Sequence, residues 1–465
     1  MVLYRLLRAT AAISLRWYYA DVDVQGRERV PRDGPVLVLA NHPNALIDPL
    51  LVGTAIRRRV LLTAKATLFE HPALALLLRS VGVVPLRRAK DESYDVTAIP
   101  ITPDRNARAF ALVTSALRSG QVVLVFPEGI SHDDPALAPL KSGAARMALQ
   151  AHREGVAGIR LLPMGLVFEE KERPDSRVLV RVGDPLDLDT WLAGHTAEAA
   201  ELTQTLEARL RAVTLNFASA ERAARAVHLA RVLAAIAGAP APVDAPVSLD
   251  AEAAIALRID AAVAALPEAP PLLIQAADDL VSKLDGIERE LRSRGIRLTD
   301  VRVSTRLPDA VAFVAREGPL VLLAGIAVVL GWATHWIPLR AARALALRSL
   351  TRNPSRDQPA MRTILFGLSA VVLWYLVIFV VLSRVTGPLT ALAILTVMFS
   401  AAHALRRGGG RLQRALHRAR SFVALRADPA LQPRLVAAVD ALIEEAVALE
   451  RALIEVSPPA ALPRA

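Results

Sequence analysis

The residues best suited to chemistry lie in the segment LANHPNALIDP, where an apolar run ends at His42 and an aspartate, Asp48, follows six positions later. A neutral imidazole can take a proton from a hydroxyl group, and a carboxylate on its other nitrogen fixes the tautomer and stabilises the imidazolium. Residues i and i+6 lie about 240° apart on a straight helix, so Pro43 must bend the chain and let His42 approach from outside the helix. Asn41 or Asn44 is the orienting group if Asp48 does not reach, and a polar turn that caps the next helix is the alternative without chemistry.

Three further apolar runs end in polar or basic residues, which is where α/β folds place their ligand sites. Adjacent arginines at a strand end point in opposite directions. One is therefore expected to face a ligand and the other to pair with an acid or a headgroup, with Arg87 favoured for the ligand. A solvated or lipid-facing basic pair is the alternative. The candidate residues are Arg87 and Arg88 in GVVPLRR, Glu128, Gly129, Ser131 and Lys141 in FPEGISHDDPALAPLK, and Pro163 in IRLLPMG.

The histidines and acids predict no metal site. His132, Asp133 and Asp134 precede Pro135, and three polar residues in such a loop are more typical of a turn than of a ligand set. The other histidines show no spacing that gathers ligands. The chain has no cysteine, which excludes disulfides, thiolate chemistry and cysteine-based metal sites.

The order of apolar and helical patterns predicts the fold class. Residues 25–215 are expected to form an α/β domain, a mixed sheet covered by helices, because near-continuous apolar strands such as PVLVLA alternate with helical patterns such as ARAFALVTSALRSG. Residues 216–310 are predicted to be an Ala-rich helical region. Residues 406–465 are basic at first and then carry the pattern of amphipathic helices.

Composition favours a membrane protein. Hydrophobic residues make up 53% of the chain and aromatic residues only 4%, so Ala, Leu and Val dominate, which suits helices in or near lipid. The formal charge of +11 comes almost wholly from arginine. Aromatic interleaving and nucleic-acid motifs are missing, so an anionic membrane surface is the favoured partner rather than nucleic acid.

Residues 1–24 are predicted to form an amphipathic helix at the membrane interface. Its apolar side would face acyl chains and its arginines would face headgroups; an ordinary surface helix packed on its own domain is the alternative. The apolar side carries Leu3, Leu6, Leu7, Ile13 and Trp17, and the opposite side carries Arg5, Arg8 and Arg16.

Residues 311–405 are predicted to be the membrane region. Uncharged apolar segments at 318–339, 363–383 and 385–405 are each near the roughly 20 residues that cross a bilayer. The Thr386-Gly387-Pro388 turn predicts a tight hairpin of the last two. Gly, Trp, His and Pro interrupt the far end of the first, which is therefore either a span or a re-entrant segment.

The arginines predict the orientation of these segments. Residues 340–362 and 406–414 are rich in arginine, whereas only Arg384 lies between the second and third segments. By the positive-inside rule both basic flanks face the cytoplasm and the hairpin tip lies outside. A first segment that dips into one leaflet keeps the α/β domain cytoplasmic, and the Arg/Ala bias indicates a bacterial inner membrane.

The four blocks NHPNALIDP, GVVPLRRAKD, FPEGISHDDPALAPLKSGAARMAL and the strand that ends at Pro163 resemble the ordered motifs of the glycerolipid acyltransferases. The chain is similar to the 1-acylglycerol-3-phosphate acyltransferases and, in the wording FPEG-x-SHD and NHPN-x-x-x-DP, to the glycerol-3-phosphate/dihydroxyacetone-phosphate acyltransferase branch. The resemblance covers roughly residues 30–190. Its motifs are weak singly and specific as an ordered set.

The resemblance implies transfer of a fatty acyl group from acyl-CoA or acyl carrier protein to glycerol 3-phosphate or lysophosphatidate at a membrane, with no cofactor. It assigns His42 as the general base, Asp48 as its partner, and Glu128 and Gly129 to the acceptor-binding wall. Two departures stand out. Five residues separate His42 from Asp48 where most of the superfamily has four, and Ile130 follows FPEG where the family often has Thr-Arg or Gly-Ser, which leaves Lys141 as the candidate for the missing charge.

Three other interpretations stay open at this level. The acceptor could be another lysophospholipid, the same histidine could activate water in a thioester hydrolase, or the chain could be a membrane scaffold without catalysis. The patterns leave the donor, the acyl length, the acylated position and the oligomeric state undetermined.

Overall fold

The computed structural model describes residues 2–65, 75–76, 83–86, 107–237, 248–351 and 359–456. The chain divides into two compact units. The first comprises Met1–Asn216 and Ala346–Leu365, and the second comprises Phe217–Leu345 and Phe366–Ala465. Arg87 and Arg88 fall outside the described residues.

The first unit is built on one mixed sheet covered by helices, as the sequence predicts. Its elements in chain order are α1 Val2–Tyr18, β1 Asp21–Gln25, a 3₁₀ turn Arg27–Arg29, β2 Val36–Ala40, α2 Ile47–Ala55, β3 Val60–Lys65, β4 Val84–Leu86, α3 Ala107–Arg118, β5 Val122–Val125, α4 Gly143–Arg153, β6 Arg160–Phe168, β7 Arg177–Val182, β8 Leu186–Asp187, α5 Leu188–Leu192 and α6 Ala199–Arg211.

The strand order is β1-β7-β6-β2-β5-β3-β4, with β8 paired to β6. Strands β2, β5, β3 and β4 run parallel, and β6 runs parallel to β2 but antiparallel to β7 and β8. Leu39 of β2 is paired with Val125 of β5, so the carboxyl ends of both strands lie at one edge of the sheet. The residues that follow these strands are therefore brought together at that edge.

The sheet is buried on both faces. Leu37 and Leu39 of β2 belong to one core cluster, while Val36, Val38 and Ala40 belong to the other. Side chains alternate between faces along a strand, so an unbroken apolar run such as PVLVLA supplies both cores at once. Full burial of each such side chain stabilises the fold by about 1.5–3 kcal/mol, which makes the central strands a firm base for the loops that follow them.

Helix α1 is only partly the interfacial helix expected from its sequence. Leu15 is buried in the domain core. Arg8, predicted to face lipid headgroups, instead donates to the carbonyl oxygens of Thr54 and Arg57 at 3.3 and 3.0 Å. Leu6 remains 61% exposed. The helix therefore packs on its own domain along one side and keeps an apolar surface on another.

The second half of the chain is helical. Its elements are α7 Ala220–Ala237, α8 Leu249–Ala265, a 3₁₀ turn Leu266–Glu268, α9 Pro271–Ser293, a 3₁₀ turn Leu298–Asp300, α10 Leu307–Thr351, α11 Pro359–Thr386, α12 Pro388–Ala427 and α13 Leu431–Val456. Helix α13 packs against α9, and α7 packs against α8.

Contacts join the helices before the apolar region to those after it. Leu291 and Val301 share a core cluster with Leu425 and Leu435. The buried Ser421 hydroxyl donates to the Asp300 carboxylate at 3.0 Å. These contacts form one helical bundle from segments that the apolar helices separate in sequence.

Within the described residues, two helices are long and apolar enough to cross a membrane, Leu307–Arg348 and Phe366–Thr386. Pro388–Ala404 is a shorter apolar stretch. Helix α10 runs unbroken through Pro319 and Pro338. The first segment thus does not turn back on itself as a re-entrant loop would, because the interruptions at its far end leave the helix continuous.

Candidate active site

His42 and Asp48 form a hydrogen-bonded pair at the carboxyl edge of the sheet. The ring Nδ1 of His42 lies 2.8 Å from Asp48 Oδ2. Asp48 is fully buried in the first turn of α2, and His42 is only 9% exposed. The imidazole stacks on Phe126 with ring centroids 3.9 Å apart. Within the described part of the chain nothing bonds Nε2, so this nitrogen is the one available to a substrate.

A turn before α2 accommodates the five intervening residues. Helix α2 begins at Ile47, so His42 lies outside it, as the bend at Pro43 requires. The turn is closed by Ile47 N–H donating to the Asn44 carbonyl at 2.9 Å, and it places Ala45 at a φ of +41°. A positive φ at a residue with a Cβ is uncommon. The extra residue is therefore absorbed in the turn, and the dyad keeps its geometry.

The two asparagines have other partners, so neither replaces Asp48 as the orienting group. The Asn41 side chain bonds both the N–H and the carbonyl of Leu166 on β6, at 2.7 and 3.0 Å. The Asn44 side chain donates to the Tyr19 hydroxyl at 3.0 Å, while its backbone N–H donates to Asp48 Oδ2 at 2.7 Å. Leu46 stands at the N-cap of α2 without a side-chain hydrogen bond, so the capping alternative is wrong.

Burial raises the pKa of Asp48 above its usual value, and the hydrogen bonds and charge of His42, the Asn44 N–H and the charge of Lys171 oppose that rise. Asp48 Oδ1 is buried and finds no donor among the described residues. An unsatisfied buried carboxylate oxygen is costly to the fold. The buried position of Asp48 beside the histidine is therefore held at a cost to stability.

Glu128 supports the histidine from the neighbouring loop. Its Oε1 accepts the backbone N–H of His42 at 2.8 Å, and its Oε2 accepts the Ala138 N–H at 2.9 Å and contacts His132 Nε2. The residue is 2% exposed. Glu128 was expected in the acceptor-binding wall, but both carboxylate oxygens are used within the protein, so in this structure it fixes the backbone at His42.

The remaining candidates differ in how close they come to the dyad. Gly129 has a φ of +72°, and a Cβ there would lie 3.0 Å from Lys141 Nζ, so the Lys141 side chain covers the space expected for a ligand. Ser131 Oγ accepts the Ala45 N–H at 3.1 Å and links the two loops. Pro163 lies within the sheet beside Leu39, with its carbonyl accepting the Gly183 N–H at 2.9 Å.

Two residues near the dyad carry contacts that sequence patterns did not indicate. His132 was interpreted as part of a turn, yet it contacts Glu128 and lies 3.2 Å from Asp134. Lys171, outside every motif, reaches the carbonyl oxygen of Pro43 at 2.6 Å. The described residues contain no group of three or more His, Asp or Glu side chains able to hold a metal ion. The sequence Ser131-His132-Asp133 was the available signal that His132 belongs to the site, and no sequence pattern indicated Lys171.

The geometry suits one kind of chemistry. A buried carboxylate holds Nδ1 of an imidazole whose Nε2 is open, which is the arrangement that removes a proton from a hydroxyl group or water. The geometry therefore fits the broad class of sites that activate an oxygen nucleophile, either a hydroxyl group or water.

Comparison with known proteins narrows this class. Residues 21–167 match the family model described as Acyltransferase, and this part of the chain is an acyltransferase-family domain. An uncharacterized acyltransferase of Schizosaccharomyces pombe is 25% identical over 259 residues, 38% of each chain. Glycerol-3-phosphate O-acyltransferase 2 of Saccharomyces cerevisiae is 35% identical over 18% of this chain and 11% of its own.

A bacterial relative is also similar. The 1-acyl-sn-glycerol-3-phosphate acyltransferase of Borreliella burgdorferi is 26% identical over 35% of this chain and 57% of its own. The chain thus spans between 11% and 57% of the length of these three relatives.

Replacement of Asp48 by asparagine is expected to stabilise the fold. Because burial raises the pKa of Asp48, the folded state holds the proton more tightly, and stability is lost as pH rises from the unfolded pKa through the folded one. Asp48→Asn should therefore unfold at a higher temperature than the wild type at pH 7, and the difference should vanish toward pH 3.

Thermal unfolding between pH 3 and 8 in detergent measures this effect. Asp187→Asn is the matched control, because a hydrogen bond from the Thr190 N–H lowers the pKa of Asp187, so that variant should gain no stability. A lower unfolding temperature for Asp48→Asn at pH 7 would contradict the account of Asp48.

Glu128→Gln is expected to loosen the His42 loop. The amide cannot accept hydrogen bonds at both ends, so a buried N–H loses its partner at a cost of about 1–3 kcal/mol. The unfolding temperature and the turnover number should fall together. Exposed Glu172→Gln is the control and should change neither. Raised acceptor KM with an unchanged unfolding temperature would instead restore Glu128 to the acceptor-binding wall.

Proposed function

We propose that this protein is a membrane-bound O-acyltransferase that moves a fatty acyl group from acyl-CoA or acyl carrier protein to a hydroxyl of glycerol 3-phosphate or lysophosphatidate. The observation that carries the proposal is the 2.8 Å contact between His42 Nδ1 and the buried Asp48 carboxylate at the carboxyl edge of the sheet. The acyltransferase family model over residues 21–167 supports it.

The reaction needs no acyl-enzyme. His42 Nε2 takes the proton of the acceptor hydroxyl as the hydroxyl oxygen forms a bond to the thioester carbonyl carbon. Asp48 stabilises the imidazolium that results. The tetrahedral intermediate then breaks its C–S bond, and the imidazolium returns the proton to the leaving thiolate. The products are an ester and a free thiol, and His42 is neutral again.

We infer a phosphate-bearing acceptor from the names of two relatives and from the candidate cationic side chains. The names of two relatives specify glycerol 3-phosphate and 1-acylglycerol 3-phosphate acylation. An acceptor phosphate calls for guanidinium or ammonium groups. Arg87, with Arg88 beside it, is our candidate for that role, and Lys141, which lies over Gly129, is a second source of positive charge.

His42→Ala is expected to lower kcat/KM by roughly 10²–10⁴, the usual contribution of a general base, while the protein stays folded. The assay is purified protein with labelled acyl-CoA or acyl carrier protein and separate acceptors, with products resolved by mass. His152→Ala is the control, since His152 also contacts an aspartate, Asp189 at 3.2 Å, but at the surface.

The acceptor panel separates the alternatives. Product with glycerol 3-phosphate or lysophosphatidate supports the proposal. Product only with another lysophospholipid would identify that lipid as the acceptor instead. Thioester consumption without any acceptor would show that the protein is a hydrolase. Full activity of His42→Ala would remove the dyad from the mechanism.

We further propose that the catalytic domain lies on the cytoplasmic side of a bacterial inner membrane, with the turn near Val385 outside. The arginine-rich flanks at 340–362 and 406–414 support a cytoplasmic position for both ends of the hairpin. The catalytic domain shares that side when the continuous helix α10 lies along the membrane without crossing it. Because the chain has no cysteine, Ser115→Cys and Val385→Cys give single labels. An impermeant maleimide should label intact cells only at 385, and label position 115 after permeabilisation. Labelling of position 115 in intact cells would reverse the orientation.

A further inference from the structure

We propose that Lys171 is a positioning residue of the acyl-transfer site, which holds the His42–Asp48 pair in register through one peptide group. The inference rests on the proposed function for its catalytic meaning. Lys171 follows β6 in the segment FEEKERP, beyond all four motif blocks.

The side chain of Lys171 joins the two loops that form the site. Its Nζ donates to the Pro43 carbonyl oxygen at 2.6 Å and to the His132 carbonyl oxygen at 3.4 Å, and it forms an ion pair with Asp133. These are three acceptors, as many as an ammonium group has protons. The side chain is 19% exposed. An ammonium engaged in this way is suited to hold the protein together rather than to bind a substrate phosphate.

The backbone of Lys171 holds the same turn from a second direction. Its carbonyl oxygen accepts the Asn44 side-chain amide at 3.3 Å and the Tyr19 hydroxyl at 3.4 Å. Burial raises the pKa of the Tyr19 phenol, so its hydroxyl stays protonated and able to donate. The residue therefore contacts Pro43 and Asn44 through both its side chain and its main chain.

The carbonyl of Pro43 and the N–H of Asn44 belong to one peptide group. The Lys171 ammonium donates to the Pro43 carbonyl oxygen at 2.6 Å. At the other end of the same peptide group, the Asn44 N–H donates to Asp48 Oδ2 at 2.7 Å. A cation on the oxygen polarises the peptide and strengthens the hydrogen bond on the other side. The same Asp48 Oδ2 holds His42 Nδ1. Loss of the ammonium would free the peptide to rotate and would remove the donor that fixes the carboxylate.

The kinetic test compares Lys171→Met, which keeps the length of the side chain without its charge, with Lys171→Arg and Asp133→Asn. Lys171→Met should lower kcat about 10–100-fold, the scale of a small misplacement of a reacting group, with KM for acceptor and donor within about threefold. Lys171→Arg should restore most of kcat. Asp133→Asn keeps the bond to Pro43 and should retain kcat within about twofold.

A spectroscopic test reads the position of the histidine without using turnover. Histidine-selective ¹⁵N labelling should show an Nδ1 proton of His42 that is protected from exchange, and His42→Ala assigns it by its loss. In Lys171→Met that proton should exchange faster or disappear. This signal would still test Lys171 if no acceptor gave product, so failure of the inference and failure of the proposed function can be told apart.

The outcomes are separable. Unchanged kcat together with a protected Nδ1 proton in Lys171→Met overturns the proposal. A rise in acceptor KM alone would make Lys171 a substrate-binding cation and overturn it as well. If Lys171→Met does not fold, Lys171→Gln is measured in the same way and decides by the same two readouts.

Discussion

The structure of the site depends on one interaction, the hydrogen bond between a wholly buried carboxylate and the ring of His42. Asp48 is held in the first turn of α2 above an apolar core, where its charge is costly, and it is retained because His42 and the Asn44 N–H each donate to one oxygen. Everything around it serves to keep those donors in place. The parallel strands fix where the loops begin, and Glu128 and Lys171 fix where they run.

The two loops also explain why the candidate site is assembled from distant parts of the chain. β2 and β5 are neighbours and parallel, so the turn that carries His42 and the turn that carries Glu128 leave the sheet side by side. The backbone N–H of His132 then donates to the His42 carbonyl at 3.3 Å, and Ser131 accepts from Ala45. Each loop supplies hydrogen bonds that the other lacks, so neither could hold the histidine alone.

Sequence patterns predicted the features that depend only on residues close together in the chain. The unbroken apolar runs predicted a sheet buried on both faces, and His42, Pro43 and Asp48 predicted an imidazole approached by a carboxylate from within the next helix. The direction of Glu128 could not be predicted, because its partners are backbone groups at His42 and Ala138 whose positions depend on the fold. Lys171 was missed for the same reason: its acceptors are carbonyl oxygens, which every residue has. Hydropathy likewise gave the apolar lengths but not the continuity of α10 through two prolines.

The helical bundle has a topological consequence. Asp300, just before the apolar helices, contacts Ser421, which comes after them, and Val301 packs with Leu435. Two parts of a chain in van der Waals contact share one aqueous compartment. If residues 307–404 pass through a bilayer, the chain returns to the side from which it set out, so the number of its passages is even.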